Sequence, residues 1–499
     1  MTDAPSPASP PPAPATATAL DVELLVIGGG TAGLVAAKTA ARFGASTLLV
    51  EAHRMGGDCL WTGCLPSKSF IAAADLAARA RDGERLGVHV DGVRVDFAAV
   101  MRHVHAAIHE IEPADSAEVV EATGARVIMG RARFTGPRTA EIVPVDGSAA
   151  VTVRFRQAII ATGSAPEVPD LPGIDALEVL TSDDVWDLTE QPERLAVLGA
   201  GAIGSELSQA FARLGTQVTL VQRNARVLPK EDPDASTLVA AAMEHDGIDV
   251  RVSTTVERVE AGEDGRAGIL HLSDGTSVAF DRLLVALGRS PRIAGLGLDA
   301  AGVRLDERGY VAVDSALRTS NRRIWSAGDV SGLPQFTHIA GVNGSLAATN
   351  AVLGLRRAVD ADAVPRVTFT HPEVAAVGLA PTDAAAAGCA VREVQHAHTD
   401  RAIAEGSVEG FTRLVVDAKG RVRGAVIVGP RAGESIGEAA LAVRQGITTS
   451  AIASTTHPYP TYSDALWNAA ISDVRVRLER GAVAGAIRML ARWRKFTTR

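Results

Sequence analysis

Two glycine-rich segments, one starting at residue 28 and one at residue 199, place the strongest constraint on how this chain folds. The first reads VELLVIGGGTAGLVAAKTAARFGASTLLVEA, which is an apolar strand, a glycine turn, a helix and a second apolar strand. The second, ERLAVLGAGAIGSELSQAFARLGTQVTLVQR, repeats this pattern. A strand, a GxGxxG turn and a helix form the βαβ unit that binds dinucleotides. We therefore predict an α/β chain with two Rossmann-like folds and two dinucleotides.

The first glycine turn contains Gly28, Gly30 and Gly33, and the strand that comes after its helix ends at Glu51. The first glycine allows the tight turn, the second lets the backbone approach a pyrophosphate, and the third lets helix and strand pack closely. The helix N-terminus stabilises phosphate charge, and a carboxylate at the end of the second strand accepts the ribose hydroxyls. An alternative is that these glycines only make tight turns. That alternative does not explain the strand, the helix and the acid that accompany them.

The second turn has the same spacing, at Gly199, Gly201 and Gly204. Its next strand ends at Gln222, and Arg223 and Arg226 come after it. A carboxylate at this position repels a 2'-phosphate, whereas arginine can bind one through two hydrogen bonds. We predict a preference for NADPH, with NADH possible if both arginines are ordinary surface charges.

Length and charge narrow the class of protein. A chain of 499 residues is expected to form two to four domains. The net charge of −8 provides no general attraction for nucleic acid, so small-molecule chemistry is favoured and no nucleic-acid partner is predicted. The Pro- and Ala-rich residues 1–20 are predicted to be a disordered tail. They resemble no secretory signal, and the chain has no apolar run long enough to span a bilayer, so we expect a cytoplasmic protein.

The last third of the chain has a different pattern. The segment FTRLVVDAKGRVRGAVIVGP predicts two antiparallel strands around a Lys-Gly turn, followed by a helix from about Ser435. This pattern indicates a third, α+β domain. The final segment GAVAGAIRMLARWRKFTTR is basic and partly amphipathic. We favour a solvated terminal helix there over contact with a membrane or partner.

Two of the three cysteines, Cys59 and Cys64, lie five positions apart in GGDCLWTGCLPSKSF. This spacing permits a disulfide, and a helix predicted to begin near Pro66 would favour a thiolate through its dipole. A zinc site would need further thiolates that this part of the sequence lacks, so a redox-active pair is favoured and no metal site is predicted. Cys389 is expected to be a structural thiol.

Seven motifs, in order, resemble those of the class I pyridine nucleotide-disulfide oxidoreductases, the family of dihydrolipoyl dehydrogenase, glutathione reductase and mercuric reductase. They are GGGTAG, GGDCLWTGCLPSK, ATGSAP, GAGAIGSE, ALGRSP, SAGDV and FTHPEVAAVGL. The resemblance covers about residues 21–475. It implies a homodimer with FAD-binding, NAD(P)-binding and C-terminal α+β dimerisation domains. The expected divisions are a tail at 1–20, the FAD domain at 21–164 and 288–360, the NAD(P) domain at 165–287, the dimerisation domain at 361–478 and a basic tail at 479–499.

The resemblance also implies roles for individual residues. Cys59 corresponds to the interchange thiol that meets substrate, and Cys64 to the thiolate that contacts the flavin. Lys68 corresponds to the lysine beside the reactive edge of the flavin, paired with Glu206. The remaining cofactor-binding positions are Gly163 in ATGSAP, Gly288 in ALGRSP, Asp329 in SAGDV and Ala340.

The segment THPYPTYSDALW departs from the thiol reductases, which have a His-Pro-Thr core followed by Ser-Glu. Alignment on Pro460 places Tyr459 at the histidine position and Asp464 at the glutamate position, while His457 lies two residues earlier. A tyrosine at this point resembles the mercuric reductase branch. That branch also has a C-terminal cysteine pair, which this sequence lacks, so efficient mercury handling is not expected.

We therefore expect an NAD(P)H-dependent flavoenzyme that delivers electrons to a metal ion, a quinone or a disulfide. One alternative is a dihydrolipoyl dehydrogenase in which His457 takes the base position. The other is a non-catalytic flavin-binding redox sensor. Three histidines, His103, His105 and His109, have helical spacing, but a solvated helix accounts for them better than a metal site.

Overall fold

A computed structural model describes residues 18–479 and 481–497. The chain divides into two compact units. The first comprises 18–59, Glu112–Ser164 and Ser290–Val359, and the second comprises the remaining described residues. The segment Leu60–Ile111, which the sequence interpretation places in the FAD domain, therefore groups with the second unit. The division into three functional domains stays a prediction.

The first unit is organised around a parallel sheet. Its strands are Thr18–Ile27, Thr47–Glu51, Arg126–Gly136, Thr139–Pro144, Val151–Ile160 and Ile324–Ser326. The first strand pairs in parallel with Thr47–Glu51 on one side and Val151–Ile160 on the other, because its apolar LLVI run is buried on both faces. Ile324–Ser326 extends the sheet in parallel, and Thr139–Pro144 adds an antiparallel strand between the third and fifth strands.

Helices pack closely on one face of this sheet. The first glycine-loop helix, Thr31–Arg42, packs through alanines against the helix Thr337–Leu353. A Cβ atom at Gly344 would lie 2.2 Å from the carbonyl oxygen of Ala32, so only glycine permits this approach. The unit also contains the short helices Ala117–Glu121 and Leu298–Ala301.

The second unit contains a four-stranded parallel sheet in the order Arg282–Val285, Arg194–Leu198, Gln217–Val221 and Asp249–Arg251. The second glycine-loop helix, Ala202–Leu214, comes after Arg194–Leu198, and Pro233–His245 comes after the next strand. An antiparallel sheet of Val256–Ala261, Gly268–Leu272 and Ser277–Phe280 accompanies it. The second predicted Rossmann-like fold is present.

Two further helices of this unit are Cys64–Arg81, here named the cysteine helix, and Phe97–Ile111. Phe70 and Phe211, from the cysteine helix and the second glycine-loop helix, lie 4.8 Å apart between ring centroids. Phe97 and Trp186 complete this aromatic cluster. The cysteine helix begins at Cys64, two residues before the predicted start, so the cysteine itself occupies the first turn.

The C-terminal part of the unit is an antiparallel sheet in the order Arg366–Thr368, Val374–Gly378, Val422–Val428, Phe411–Val416 and Ala390–Gln395. Its helices are Asp400–Glu405, Ala432–Gln445, Thr449–Ser454 and Asp464–Leu478. The predicted hairpin is present, with its turn at Lys419 and Gly420, whose φ is +79°. The helix expected from Ser435 begins three residues earlier.

The described part of the N-terminal end differs from expectation, whereas the predicted helix near the C-terminal end is present. The predicted disordered tail at 1–20 is wrong for residues 18–20, which pair with Val151, Thr152 and Val153 in the first sheet. Its other residues lie outside the described part. At the other end, Gly481–Thr497 forms a helix, here named the terminal helix. Within the described ranges, every helix is too short or too polar to cross a membrane.

Candidate active site

The first glycine loop is held by contacts that exclude any side chain. Gly28 has φ +110°, and a Cβ atom there would lie 2.2 Å from the carbonyl oxygen of Ala161. A Cβ atom at Gly33 would lie 1.8 Å from the carbonyl oxygen of Gly28. The helix begins at Thr31, directly after Gly30, so its first amides lie at the turn. This backbone fits a pyrophosphate-binding turn.

Glu51 lies beside this turn at the end of its strand. One carboxylate oxygen accepts a hydrogen bond from the Gly29 amide at 2.6 Å, and the other accepts from the His53 amide at 2.7 Å. These two bonds fix the carboxylate against the loop while its remaining lone pairs can accept further donors. The predicted neighbourhood of Glu51 and the glycine loop is therefore present.

Asp329 reaches the same region from a distant part of the sequence. Its carboxylate accepts a hydrogen bond of 2.7 Å from the hydroxyl of Ser164, next to Gly163. The residue before it, Gly328, has φ +80°, and a Cβ atom there would lie 3.2 Å from the Cβ of Ala32 and 3.7 Å from that of Ala340. The structure thus brings the SAGDV turn and the predicted residue Ala340 to the first glycine-loop helix.

Cys59 lies in the short helix Gly57–Trp61 and is partly exposed. The start of this helix is close to the glycine loop, because a Cβ atom at Gly57 would lie 2.5 Å from Cα of Gly30. The neighbouring Asp58 forms an ion pair of 2.9 Å with Arg292. Local sequence gives no sign of this pair, since 234 positions separate its members.

The second glycine loop repeats the first. Gly199 has φ +99°, and a Cβ atom there would lie 2.6 Å from the carbonyl oxygen of Ala286. A Cβ atom at Gly204 would lie 1.8 Å from the carbonyl oxygen of Gly199, whereas one at Gly201 would meet no atom within 4 Å. The open space at Gly201 leaves room for a ligand to approach the backbone.

The residues after the next strand are polar or cationic. Gln222 is buried, Arg223 is exposed, and Arg226 donates a hydrogen bond of 3.1 Å to the carbonyl oxygen of Pro229. The predicted residue Gly288 lies two positions after Ala286, and its carbonyl oxygen accepts a 3.0 Å hydrogen bond from the Glu167 amide.

The predicted pair of Lys68 and Glu206 is present, at 2.9 Å between Nζ and Oε2. Glu206 is buried, and its other carboxylate oxygen accepts a 2.9 Å hydrogen bond from the amide of Phe369. The ammonium of Lys68 also lies 4.3 Å from the ring centroid of Phe369. A partly exposed lysine is thus held by a charge and an aromatic face, and the contribution of Phe369 was missed from the sequence.

Cys64 is exposed and is the first residue of the cysteine helix, where the helix dipole favours negative charge. The preceding chain is fixed, because the carbonyl oxygen of Thr62 accepts a 2.8 Å hydrogen bond from the indole of Trp186. Trp61 packs edge-on against His109. These contacts order the chain that leads into Cys64.

Tyr459 and Asp464, the positions aligned with the His-Glu dyad of thiol reductases, bind different partners. The hydroxyl of Tyr459 donates a hydrogen bond to Asp400 instead of Asp464, and the tyrosine is 70% exposed. That hydrogen bond, with the negative charge of Asp400, raises the pKa of Tyr459 above its usual value. Asp464 is buried at the start of its helix and accepts a 3.1 Å hydrogen bond from the amide of Thr461.

His457 is engaged within its own chain. Its two ring nitrogens lie 2.9 Å from the carbonyl oxygen of Thr455 and 2.9 Å from a carboxylate oxygen of Glu438, and its ring stacks on Trp467. Burial lowers the pKa of His457, but the hydrogen bond to Glu438 and the other attractions outweigh it, so the net pKa is raised.

The other residues noted in the sequence contact backbone carbonyl groups or are exposed. His105 contacts the carbonyl oxygen of Trp186, and His103 is exposed. The Sγ of Cys389 lies 3.6 Å from the carbonyl oxygen of Ala387. Over residues 18–479 and 481–497, the structure brings together no three His, Cys, Asp or Glu side chains that could hold a metal ion.

Comparison with protein families gives two matches. Residues 22–344 match the family described as pyridine nucleotide-disulphide oxidoreductase. Residues 364–470 match the pyridine nucleotide-disulphide oxidoreductase dimerisation domain.

Similar proteins carry two different names. A mercuric reductase from Bacillus cereus is 36% identical over 452 residues, covering 89% of this chain and 70% of the relative. A dihydrolipoyl dehydrogenase from Haloferax volcanii is 37% identical over 457 residues, covering 90% of this chain and 95% of the relative. The two identities are too similar to separate the two activities.

Solved structures show the same fold. LpdA from Mycobacterium tuberculosis aligns with a TM-score of 0.83 and 29% identity, covering 90% of this chain and 99% of the other. The Cu(II) complex of the HOCl-induced flavoprotein disulfide reductase RclA from Escherichia coli aligns with a TM-score of 0.81 and 26% identity, with the same coverage.

Proposed function

Because this chain belongs to the pyridine nucleotide-disulphide oxidoreductase family, we propose that it moves electrons from NADPH through FAD and the Cys59/Cys64 pair to a small acceptor. Members of this family are enzymes that bind FAD and use NAD(P)H. The reaction would take two electrons from NADPH as hydride, and a disulfide that gains two electrons and two protons becomes two thiols. The acceptor then takes the electrons from the thiols.

The residues of the first unit fit FAD. Gly28 and Gly33 leave no room for side chains in the turn, Glu51 is fixed for ribose hydroxyls, and Asp329 is placed by Ser164 near the same loop. When bound, FAD accepts hydride from the nicotinamide and passes its electrons on in this family. We propose that Gly163 and Ala340 also line this site.

We propose that the second glycine loop holds NADPH. Gly199, Gly201 and Gly204 would accommodate the pyrophosphate, with Gly288 on the neighbouring turn. The cationic positions Arg223 and Arg226 would bind the 2'-phosphate, and the neutral Gln222 would not repel it.

Lys68 and Glu206 support the transfer electrostatically. A cation held at a fixed place stabilises negative charge that develops nearby during reduction. Glu206 holds the ammonium of Lys68 in position, and it also orders the chain at Phe369.

The identity of the acceptor depends on the C-terminal segment. The main support for our proposal is that Tyr459, with its hydroxyl bound to Asp400, stands at the position where thiol reductases have a histidine base. A tyrosine whose pKa is raised above about 10 is a poor general base at neutral pH. We therefore favour an acceptor that needs little proton transfer, such as a soft metal ion or a quinone, over dihydrolipoamide chemistry.

A dihydrolipoyl dehydrogenase is the second candidate, because the relative from Haloferax volcanii carries that name. It would need His457 as the base. His457 is bound to Glu438 and to the carbonyl of Thr455, so at least one of its ring nitrogens would have to leave its partner.

The matched dimerisation domain supports a homodimer. We propose that the segment with Tyr459 reaches the interchange cysteine Cys59 of a second copy, so that each active site needs two chains. Asp464 would act as a positioning residue, because it holds Thr461 and with it the loop that carries Tyr459.

An anaerobic titration with NADPH, followed by separate addition of mercuric ion, a quinone and oxidised lipoamide, tests the proposal. The wild type should give a long-wavelength absorbance band that mercuric ion or the quinone discharges. Cys59→Ser should still be reduced by NADPH but should lose acceptor turnover by on the order of a thousandfold, whereas the control Cys389→Ser should match wild type. Rapid discharge by lipoamide that His457→Ala abolishes would favour the second candidate, and no flavin reduction by either nicotinamide cofactor would favour a redox sensor.

A further inference from the structure

The terminal helix, Gly481–Thr497, lies beyond the matched dimerisation domain, which ends at residue 470. Every residue from 485 to 495 is exposed, whereas Ala484 is buried. The proposed electron transfer gives this helix no role. Its exposed surface therefore requires a separate explanation.

One side of the terminal helix is apolar. Ile487, Met489, Leu490 and Trp493 have exposed fractions of 45%, 67%, 56% and 62%. At 100° per residue these four side chains fall within an arc of about 160°. A helix in a globular protein normally turns such an arc toward the core, but here the described chain leaves it exposed.

The other side is cationic. Arg488, Arg492 and Lys495 fall within an arc of about 60° that faces away from the apolar arc, while Arg494 projects between Leu490 and Ile487. Residues 480–499 contain five arginines, one lysine and no acidic residue, in a chain whose net charge is −8. The positive charge is thus concentrated in one short segment of an otherwise acidic protein.

We propose that the terminal helix docks on an anionic lipid surface. An apolar arc with tryptophan and a cationic opposite face are the features of helices that lie in the plane of a membrane interface. Lipid supplies an apolar layer for Leu490 and Trp493 together with phosphates for the arginines, so both faces are satisfied at once. Arg494 fits this position, because the long stem of arginine can lie along an apolar layer while its head stays among phosphates. The helix is too short and too charged to cross the bilayer, which agrees with a peripheral position.

Lipid docking differs from the solvated helix that the sequence favoured. A solvated helix accounts for the charges but leaves four large apolar side chains in water. Docking is also independent of the acceptor, because a docked enzyme would act equally on a water-soluble ion or on a lipid-soluble quinone.

Sedimentation of the full-length holoenzyme with vesicles tests the proposal. Vesicles of phosphatidylcholine with phosphatidylglycerol should bind at least about tenfold more protein than vesicles of phosphatidylcholine alone, and high salt should reverse the difference. Equal binding to both vesicles, or none to either, would overturn the proposal.

Two double variants identify the face responsible. Arg488→Glu/Arg492→Glu and Leu490→Ser/Trp493→Ser should each lose at least about tenfold in binding to the anionic vesicles. The matched control Arg356→Glu/Arg357→Glu reverses two exposed charges elsewhere and should bind as wild type does. All four proteins should have the same NADPH-dependent turnover in solution. If the control loses binding equally, general charge and not the terminal helix is responsible, and the proposal fails.

A second copy of the chain is the other possible occupant of the apolar arc. Sedimentation velocity without lipid distinguishes it. If Leu490→Ser/Trp493→Ser lowers the oligomer mass, the arc is covered by protein and lipid docking is wrong. An unchanged mass with lost vesicle binding supports the proposal.

Discussion

The glycine loop of the first unit and that of the second have the same backbone but different chemical surroundings. In both, a Cβ atom on the third glycine would lie 1.8 Å from the carbonyl oxygen of the first glycine, and the φ values of the first glycines, +110° and +99°, are similar. The glycines of both loops therefore permit the same close approach of a helix and a strand. They do not decide which dinucleotide is bound.

The strand after each glycine-loop helix ends in a different residue. The first ends in Glu51, whose carboxylate binds two backbone amides, and the second leads into Gln222 and Arg223. An acid suits a ribose with free hydroxyl groups, whereas cations suit a ribose that carries a 2'-phosphate. Cofactor selectivity therefore depends on residues outside the glycine fingerprint.

The helices after the two loops differ as well. Two positions beyond the third glycine, the first helix has Val35 and the second has Glu206. Glu206 binds Lys68 and the amide of Phe369, so the second helix contributes to an electrostatic group while the first helix serves packing. Variants at these positions, and at the acid-base groups of the second unit, can break or refine the contrast between the loops.

Adding a methyl group to the third glycine of each loop should show most clearly that the two loops bind different cofactors. Gly33→Ala should be isolated without flavin, because its Cβ has a rigid carbonyl 1.8 Å away. Gly204→Ala should keep its flavin and bind NADPH about 10- to 100-fold more weakly, as overpacking costs suggest. Flavin absorbance and NADPH titration measure these effects. Gly437→Ala, where a Cβ meets no atom within 4 Å, is the control. If both loop variants lose the same cofactor, the loops are not dedicated to different ligands.

Giving the second loop the acid of the first should change its cofactor preference. Gln222→Glu should lower the ratio of kcat/KM for NADPH to that for NADH by about 10- to 100-fold, because a charged hydrogen bond is worth that much. Steady-state kinetics with both cofactors measure the ratio. The control Arg258→Ala removes an exposed arginine that pairs with Glu260 in another sheet, and it should leave the ratio unchanged. An unchanged ratio in Gln222→Glu would show that this position does not contact the ribose.

Two variants of Glu206 should distinguish the effect of its charge on flavin reduction from the effect of its other contacts. Glu206→Gln keeps an acceptor for the Phe369 amide but removes the charge that holds Lys68, and it should slow flavin reduction by NADPH about tenfold. Glu206→Val, which copies the first helix, removes both contacts and should be slower still. Stopped-flow absorbance measures the rates, and calorimetric thermal unfolding checks the fold. Equal rates for wild type and Glu206→Gln would mean that the charge on Glu206 does not matter.

A weaker effect, on the free energy of unfolding, is expected from replacing His457 near the C-terminal end of the second unit. The pKa of His457 is raised in the folded state, so its contribution to stability is complete below the unfolded value of about 6.5 and is lost as pH rises through the folded value. His457→Asn should therefore lower the free energy of unfolding by less than about 1 kcal/mol at pH 6 and by little at pH 9. Denaturant titrations measure the difference. A larger loss at pH 9 than at pH 6 would contradict the assigned sign.

The parts of the fold that repeat a local pattern were predictable from the sequence. Both βαβ units and the C-terminal hairpin follow from periodicity and glycine positions, because residues close in sequence favour a strand or a helix. Boundaries were less reliable. The cysteine helix begins at Cys64 instead of Pro66, and the first strand begins at Thr18, inside the predicted tail. The start of that strand depends on its pairing with Val151–Ile160, more than 120 positions away.

In the candidate site, too, contacts between residues far apart in sequence were difficult to predict. Lys68 and Glu206 were paired only through the resemblance, since 138 positions separate them. Asp58 with Arg292, and Phe369 over Lys68, gave no sequence signal at all. The alignment gave no partner for the hydroxyl of Tyr459, because Asp400, which accepts its hydrogen bond, lies on the helix Asp400–Glu405, 59 positions away. A side chain finds its partner among all groups nearby in space, which local spacing does not reveal.

Two nucleotide-type folds, their glycine turns and the close cysteine pair were all readable from the order of the amino acids, because each is a local arrangement in which neighbouring residues restrict the backbone. Apart from the Lys68–Glu206 pair, which the family resemblance implied, the partners of the polar and charged side chains became known only from the folded chain. There Glu206 binds both Lys68 and the Phe369 amide, Tyr459 turns to Asp400, and the apolar arc of the terminal helix stays exposed. Those outcomes depend on long-range packing, which brings together groups that are far apart along the chain.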